Sequence, residues 1–320
     1  MGPRSGTLAV LAAALLALPA CSSGSDPTPG AGPSSPEQPR PTTVVRPTQD
    51  PQTARLAALA RLAEQAAADL PPRRTVRPRS GEVLGGDVSW PQCPPGMGIP
   101  ERRTLGRPMP LSEAEFVILG LTNGPGFTAN PCLADQVAWV RERHLLASAY
   151  AVVSLPDAAA VARHRTDGPY DGATRLGALA NAGYQQALAN VVTMRKAGLT
   201  TPVVWVDVEP VPDFEWSADP VTNGAVVEGA VRAYRYAGYR VGIYSTPALW
   251  EGVVGDLALG LPEWRAAGQT SRDEARERCG DDWSIQGGTA VLGQWVETER
   301  DQDLTCPGTS AQLGRWFQQY

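Results

Sequence analysis

The sequence predicts an α/β barrel, and three observations carry that reading. Short β-branched runs alternate with helical stretches, the pattern of parallel β–α–β units. The acids best placed for chemistry end several different strands, as they do on the working rim of a barrel. No glycine-rich turn of the G-x-G-x-x-G kind opens a helix, which argues against a doubly wound dinucleotide-binding sheet.

The 320-residue chain divides into three parts. Residues 1–20, MGPRSGTLAVLAAALLALPA, have one arginine, then a short apolar run ending in small residues. This is the layout of a secretory signal, too short to span a bilayer comfortably. Its end, Leu18-Pro19-Ala20-Cys21, resembles a bacterial lipobox, which implies cleavage before Cys21 and lipidation of that cysteine. Residues 21–80 read as a tether. Pro, Ser and Thr dominate as far as residue 53, and such a stretch buries too little apolar surface to offset its ordering entropy. ARLAALARLAEQAAADL (54–70) then has leucines at helical spacing, and Pro71-Pro72 ends it.

Residues 81–320 are the folded domain, about the size of one large α/β unit. In order, EVLGGDVS and FVILGLTN read as strands, ADQVAWVRERHL as a helix and LASAYAVVS as a strand. Helical LGALANAGYQQALANVVTMRKAG leads to strand PVVWVDVE, and helical TNGAVVEGAVRAYRYAG to strand YRVGIYS. Beyond Glu263 the text turns irregular, with one late strand, VLGQWVE.

Net charge and cysteines narrow the function. Residues 22–80 hold eight arginines against five acids and the signal segment holds one arginine, which leaves −9 on residues 81–320 of a chain whose net charge is −5. A body this acidic is a poor binder of nucleic acid, whose phosphates need clustered Lys and Arg. Five cysteines are odd for a secreted chain. With Cys21 lipidated, Cys93, Cys132, Cys279 and Cys306 form an even set suited to two disulfides. Three pairings are open, and locality favours Cys93–Cys132 with Cys279–Cys306 because short loops close at lower entropy cost. A zinc site is disfavoured, since there is no C-x-x-C pair and His144 and His164 lie far from the cysteines.

Strand alternation in PVVWVDVE puts Trp205, Asp207 and Glu209 on one face and Val204, Val206 and Val208 on the other. In a barrel the valines meet the helices and the acids face inward, and Pro210 ends the strand at the rim. Asp87 lies near the end of the first strand behind two glycines, and Asp303, in RDQDL after the last strand, is a third candidate; a turn-forming aspartate and a solvated loop acid are the competing readings of the two. Tyr150, Trp205 and Tyr244, with Trp90 and Trp295 nearer the rim, are candidate sugar platforms, because apolar sugar faces stack on aromatics; core packing competes for each. No G-x-S-x-G, H-E-x-x-H or P-loop pattern is present, so acyl-hydrolase, zincin and NTPase chemistry have no support.

These residues resemble a known family. GGDVSWPQ is similar to the G-[IY]-D-V-S-x-x-Q opening of glycoside hydrolase family 25, the Chalaropsis-type lysozymes. In chain order, FVILGLTNG resembles F-[VI]-x-x-K-A-T-E-G, ASAYAVVS resembles A-G-A-Y-H-F, and WVDVE resembles [LI]-D-x-E. RVGIYS then matches V-G-[IL]-Y, and GQWVETERDQDLT resembles the closing W-Q-Y…D-L-N. The resemblance implies an eight-stranded barrel lacking its last helices. It implies cleavage of β-1,4 bonds in peptidoglycan with neither metal nor cofactor. Glu209 would be the general acid and Asp207 its assistant, with Asp87 and Asp303 completing a four-acid cleft. Two departures stand out: the family's Lys and Glu become Gly120 and Asn123. The expected protein is a monomeric, lipid-anchored hydrolase on the outer face of the bacterial cell membrane, with a cell-wall glycan as partner. Two alternatives are a barrel that binds wall glycan without cleaving it, and a hydrolase of a different amino-sugar polymer.

Overall fold

A computed structural model describes residues 75–320. The expected signal segment, Cys21 and the expected 54–70 helix lie outside the described residues, as does most of the expected tether. Eight strands close into a barrel: β1 (Leu84–Val88), β2 (Phe116–Gly120), β3 (Leu146–Val152), β4 (Val203–Asp207), β5 (Arg240–Ser245), β6 (Glu263–Gln269), β7 (Ala290–Glu297) and β8 (Arg300–Thr305). Neighbours pair in parallel from β1 to β7, whereas β8 runs antiparallel between β7 and β1 and seals the ring. A two-residue β9 (Gln318–Gln319) pairs with the start of β3.

Helices α1 (Leu133–Glu142), α2 (Ala158–His164), α3 (Arg175–Lys196), α4 (Pro220–Tyr236), α5 (Pro247–Val254) and α6 (Arg272–Glu277) lie outside the barrel. The expected loss of late helices holds, since α6 has six residues and β7 turns straight into β8. Among the described residues no helix is long and apolar enough to cross a membrane.

Alternation on β4 sorts the side chains as expected. Val204, Val206 and Val208 join the outer core against α3 and α4, whereas Trp205 joins the inner one. The two helices meet through Gly183 and Gly229: a Cβ on either would run into backbone of the other helix. Inside, Trp205 lies over Gly242 of β5, where any side chain would collide with the indole. The floor is closed by residues 313–317: Phe317 stacks on Phe116 at 4.5 Å and Trp316 on Trp205 at 5.9 Å. Val76 packs near this floor and Arg79 N–H donates to the Ser310 carbonyl at 2.9 Å.

Two stretches depart from the expectation. Residues 300–305 are strand β8 rather than a loop, joined to β7 by a hairpin turn in which Thr298 (φ 51°) and Glu299 (φ 59°) are left-handed. The turn lacks the Gly, Asn or Asp that normally announces one. The stretch after Glu263 is strand β6, disguised because its outward Glu263 and Arg265 pair with each other at 2.7 Å. The disulfides are Cys93–Cys132 and Cys279–Cys306, with Cα separations of 5.6 and 5.5 Å, the pairing locality favours.

Candidate active site

At the C-terminal mouth of the barrel the strands bring five carboxyl groups together. Asp87 is the penultimate residue of β1 and lies in register with Asp301 of β8, while Asp303 lies opposite Gly85, one layer deeper. Asp207 ends β4 in register with Tyr244, and Glu209 follows two residues beyond. Asp303 is fully buried; its Oδ1 accepts from Trp264 Nε1 at 2.7 Å. Gln294 Nε2 donates to Asp87 Oδ2 at 3.0 Å and its Oε1 accepts from the Tyr244 hydroxyl at 3.0 Å, tying acid and tyrosine together. Buried Asp207 Oδ1 and Asp303 Oδ2 have no hydrogen-bond partner.

Burial and mutual repulsion hold these groups away from their ordinary ionisation. Burial pushes Asp87 well up, and the charges of Asp301, Asp303 and Asp207 push it further against the Gln294 hydrogen bond. Burial and then Glu209 raise Asp207 well above the carboxylate range. Burial and then Asp301 push Glu209 up to about 7. Burial raises Asp303, and the indole hydrogen bond opposes it. Asp301 is raised by burial and relieved by the positive charge of Arg107. The mouth therefore holds protons near neutrality, and half-buried Glu209 carries one where a substrate oxygen can approach.

Asp87, Asp207, Glu209 and Asp303 all converge, though Asp303 is a buried strand acid and not a solvated loop one. Asp301 and Gln294 were missed as site residues. The signal for Asp301 is present as D-x-D alternation in RDQD, the same device as Asp207-x-Glu209.

The aromatic expectations need two corrections. Trp205 has 0% exposure, under Trp316 and beside Trp264, so no sugar reaches its face. Trp295 (3%) points away from the mouth, packed with Leu304 and Ala275 on the outer side of β7 and β8. Strand alternation sends Trp295 outward because Gln294 faces in. Tyr150 and Tyr244 are half-buried and lean on Trp264, with centroids at 5.6 and 4.4 Å, their phenols raised well above the ordinary value by burial and the nearby acids. Trp90 is half-buried in the short 3₁₀ turn after β1.

The two family departures have local causes. A side chain at Gly120 would strike Ser89 and the Tyr150 ring, so no lysine fits there without moving both. Asn123 is fully buried and structural: its Oδ1 accepts from Ile99 N–H and its Nδ2 donates to the Arg102 carbonyl, both at 3.0 Å. It anchors the 90–110 segment. That segment follows the rim from Met109, whose carbonyl accepts from Arg300 Nε at 3.0 Å, to Arg102, which donates to the Pro212 carbonyl and covers Phe214 at 5.8 Å.

The family model described as "Lysozyme-like protein 1" matches residues 177–279, a stretch that contains Asp207 and Glu209. No curated protein matches the chain. Among solved structures, the chain is similar to a family GH25 lysozyme from Aspergillus fumigatus (16% identity, 73% of this chain and 99% of that one, TM-score 0.45). It is similar also to a muramidase from Trichobolus zukalii (17% identity, 73% and 99%, TM-score 0.46). A third is the modular autolysin LytC from Streptococcus pneumoniae, in complex with a synthetic peptidoglycan ligand (13% identity, TM-score 0.41). The match takes in 70% of this chain and 46% of that one, so the chain spans under half the autolysin's length.

Proposed function

We propose that this protein is a glycoside hydrolase of lysozyme type that cleaves β-1,4 bonds in peptidoglycan or a related cell-wall glycan. The observation that carries the reading is the convergence of Asp87, Asp207, Glu209, Asp301 and Asp303 at one barrel mouth, with Glu209 protonated up to about 7. Glycoside hydrolysis needs one carboxyl kept protonated and another ionised; burial and the charge of Asp301 hold the proton on Glu209, and Arg107 draws Asp301 toward its ionised form. Glu209 gives its proton to the glycosidic oxygen, and the C1–O bond breaks with its electron pair leaving on that oxygen. Positive charge grows at C1 and the ring oxygen, and the negative charge that the acids Asp207, Asp301, Asp87 and Asp303 share stabilises it. Water then adds at C1 and passes its proton to a carboxylate, which restores the acid. Cys21 would anchor the protein by lipid to the outer face of the cell membrane, as its lipobox-like context supports.

Release of reducing ends from purified peptidoglycan tests this, with Glu209→Gln as the matched inactive protein. Wild-type protein that binds wall glycan yet frees no reducing ends overturns it. That outcome establishes the second reading, a binding lipoprotein on the same barrel, which the loss of the family's lysine and glutamate at Gly120 and Asn123 favours.

A further inference from the structure

A second concave site lies on the same rim, outside the acid mouth. Helix α2, the 165–174 turn, the start of α3 and the approach to α4 enclose a groove of about 650 Å³. Its floor is aliphatic, from Leu155, Val161 and Leu179, and no aromatic side chain lines it. Arg165 and Arg175 stand on its edges. Both are held in place: Arg165 Nη2 donates to the Gly172 carbonyl at 2.9 Å, and Arg175 Nη1 donates to Thr222 Oγ1 at 2.7 Å and lies 3.5 Å from Asp219. The groove also meets the amino end of the 22-residue α3, which adds to its positive potential.

Its chemistry differs from that of a sugar subsite. Sugar rings ask for aromatic faces and rows of hydrogen-bonding groups, and this groove offers alkyl surface and guanidinium groups. Alkyl side chains and carboxylates fit it. Its wall is shared with the mouth: Trp216 Nε1 donates to the Glu209 carbonyl at 2.9 Å, and the next residue, Ser217, lines the groove. On the other side Val152 pairs in register with Asp207, and Leu155 is three residues further on.

We propose that this groove binds a short, carboxylate-bearing peptide branched from the glycan that lies in the acid mouth, so that the protein recognises peptide-substituted wall glycan. The proposal rests on the hydrolase reading for the glycan's position but not for the groove's own chemistry. In peptidoglycan the lactyl ether of every muramic acid can carry such a peptide, so the branch point falls beside the bond to be cut.

The test is calorimetric titration of the full chain with an N-acetylmuramyl tetrapeptide and with N-acetylmuramic acid lacking the peptide. The peptide-bearing sugar should bind at least about tenfold tighter. Ala162→Trp, at an exposed α2 position on the groove, should erase that difference and leave the plain sugar unchanged, and Arg175→Gln should reduce it. Equal binding of the two sugars by the wild type, or a preference that survives Ala162→Trp, overturns the proposal. Reducing-end assays on intact and peptide-stripped glycan separate it from the hydrolase reading. No release from either substrate defeats the hydrolase while the titration still reads the groove, and equal rates on both defeat only the groove.

Discussion

Two groups of buried acids in this molecule are treated in opposite ways. Glu263, on the outer side of β6, is fully buried yet accepts hydrogen bonds from Ile285, Gln286 and Gly288 backbone N–H groups at 3.0, 2.9 and 2.9 Å and from Arg265 Nε at 2.7 Å. The mouth acids have one donor apiece or none, and Asp207 Oδ1 and Asp303 Oδ2 have no partner. Both sites desolvate carboxyl groups. One satisfies its charge and fixes residues 284–288 against the barrel; the other leaves its acids unsatisfied, so they hold protons that chemistry can use. Burial alone therefore says little about function, and the supply of donors decides it.

The sharpest test of this contrast is Glu209→Gln, which should cut turnover by roughly 10²–10⁴-fold, the usual worth of a positioned acid, with the fold retained and the melting temperature not lowered. Glu263→Ala should do the reverse. Stripping a buried, paired acid leaves Arg265 uncompensated and costs about 3–5 kcal/mol in denaturant unfolding, while activity per folded molecule persists. Next comes pH. Glu209 binds its proton up to about 7 in the folded state against an ordinary value of 4.5, so the folded chain carries more protons than the unfolded one between those values. Stability is therefore fullest below 4.5 and falls as pH rises toward 7, by up to about 3 kcal/mol from this group, and Glu209→Gln should flatten that slope. The smallest effect is expected from Asp301→Asn. Removing its charge lets Glu209 lose its proton more readily, so the alkaline limb of the rate profile should move to lower pH with the folded structure intact. An unmoved limb would show that Asp301 does not act on Glu209.

The legible parts of the fold are those where one pattern speaks for one cause. VVWVDVE has strict alternation, helices behind it and proline after it, so strand, facing and rim position all follow. Cysteine pairing follows from loop length alone. β6 and β8 were hidden because tertiary partners, not local composition, make them strands: Glu263 and Arg265 satisfy each other, and RDQDLT becomes a strand only between β7 and β1. Trp205 shows the same limit at a single residue. Alternation turns it inward correctly, but whether an inward indole meets substrate or core depends on Trp316, which is 111 positions away in the chain. Asn123 could be seen to depart from a pattern, but its new task depended on the 90–110 segment arriving beside it.

The way the ring is sealed also sets a timetable for biosynthesis. β1 finds its second neighbour only in β8, and the Val83 N–H donates to Thr305 Oγ1 across 222 positions of chain. The floor then waits for Trp316 and Phe317. At ordinary translation speeds of about 5–20 residues per second, roughly 10–40 s separate the emergence of β1 from that of its partner. Through that interval the amino edge of the nascent sheet is unpaired and its aromatic interior is open underneath. An open edge of this kind is a template for pairing with another molecule, and the ring has no way to close before β8 is available.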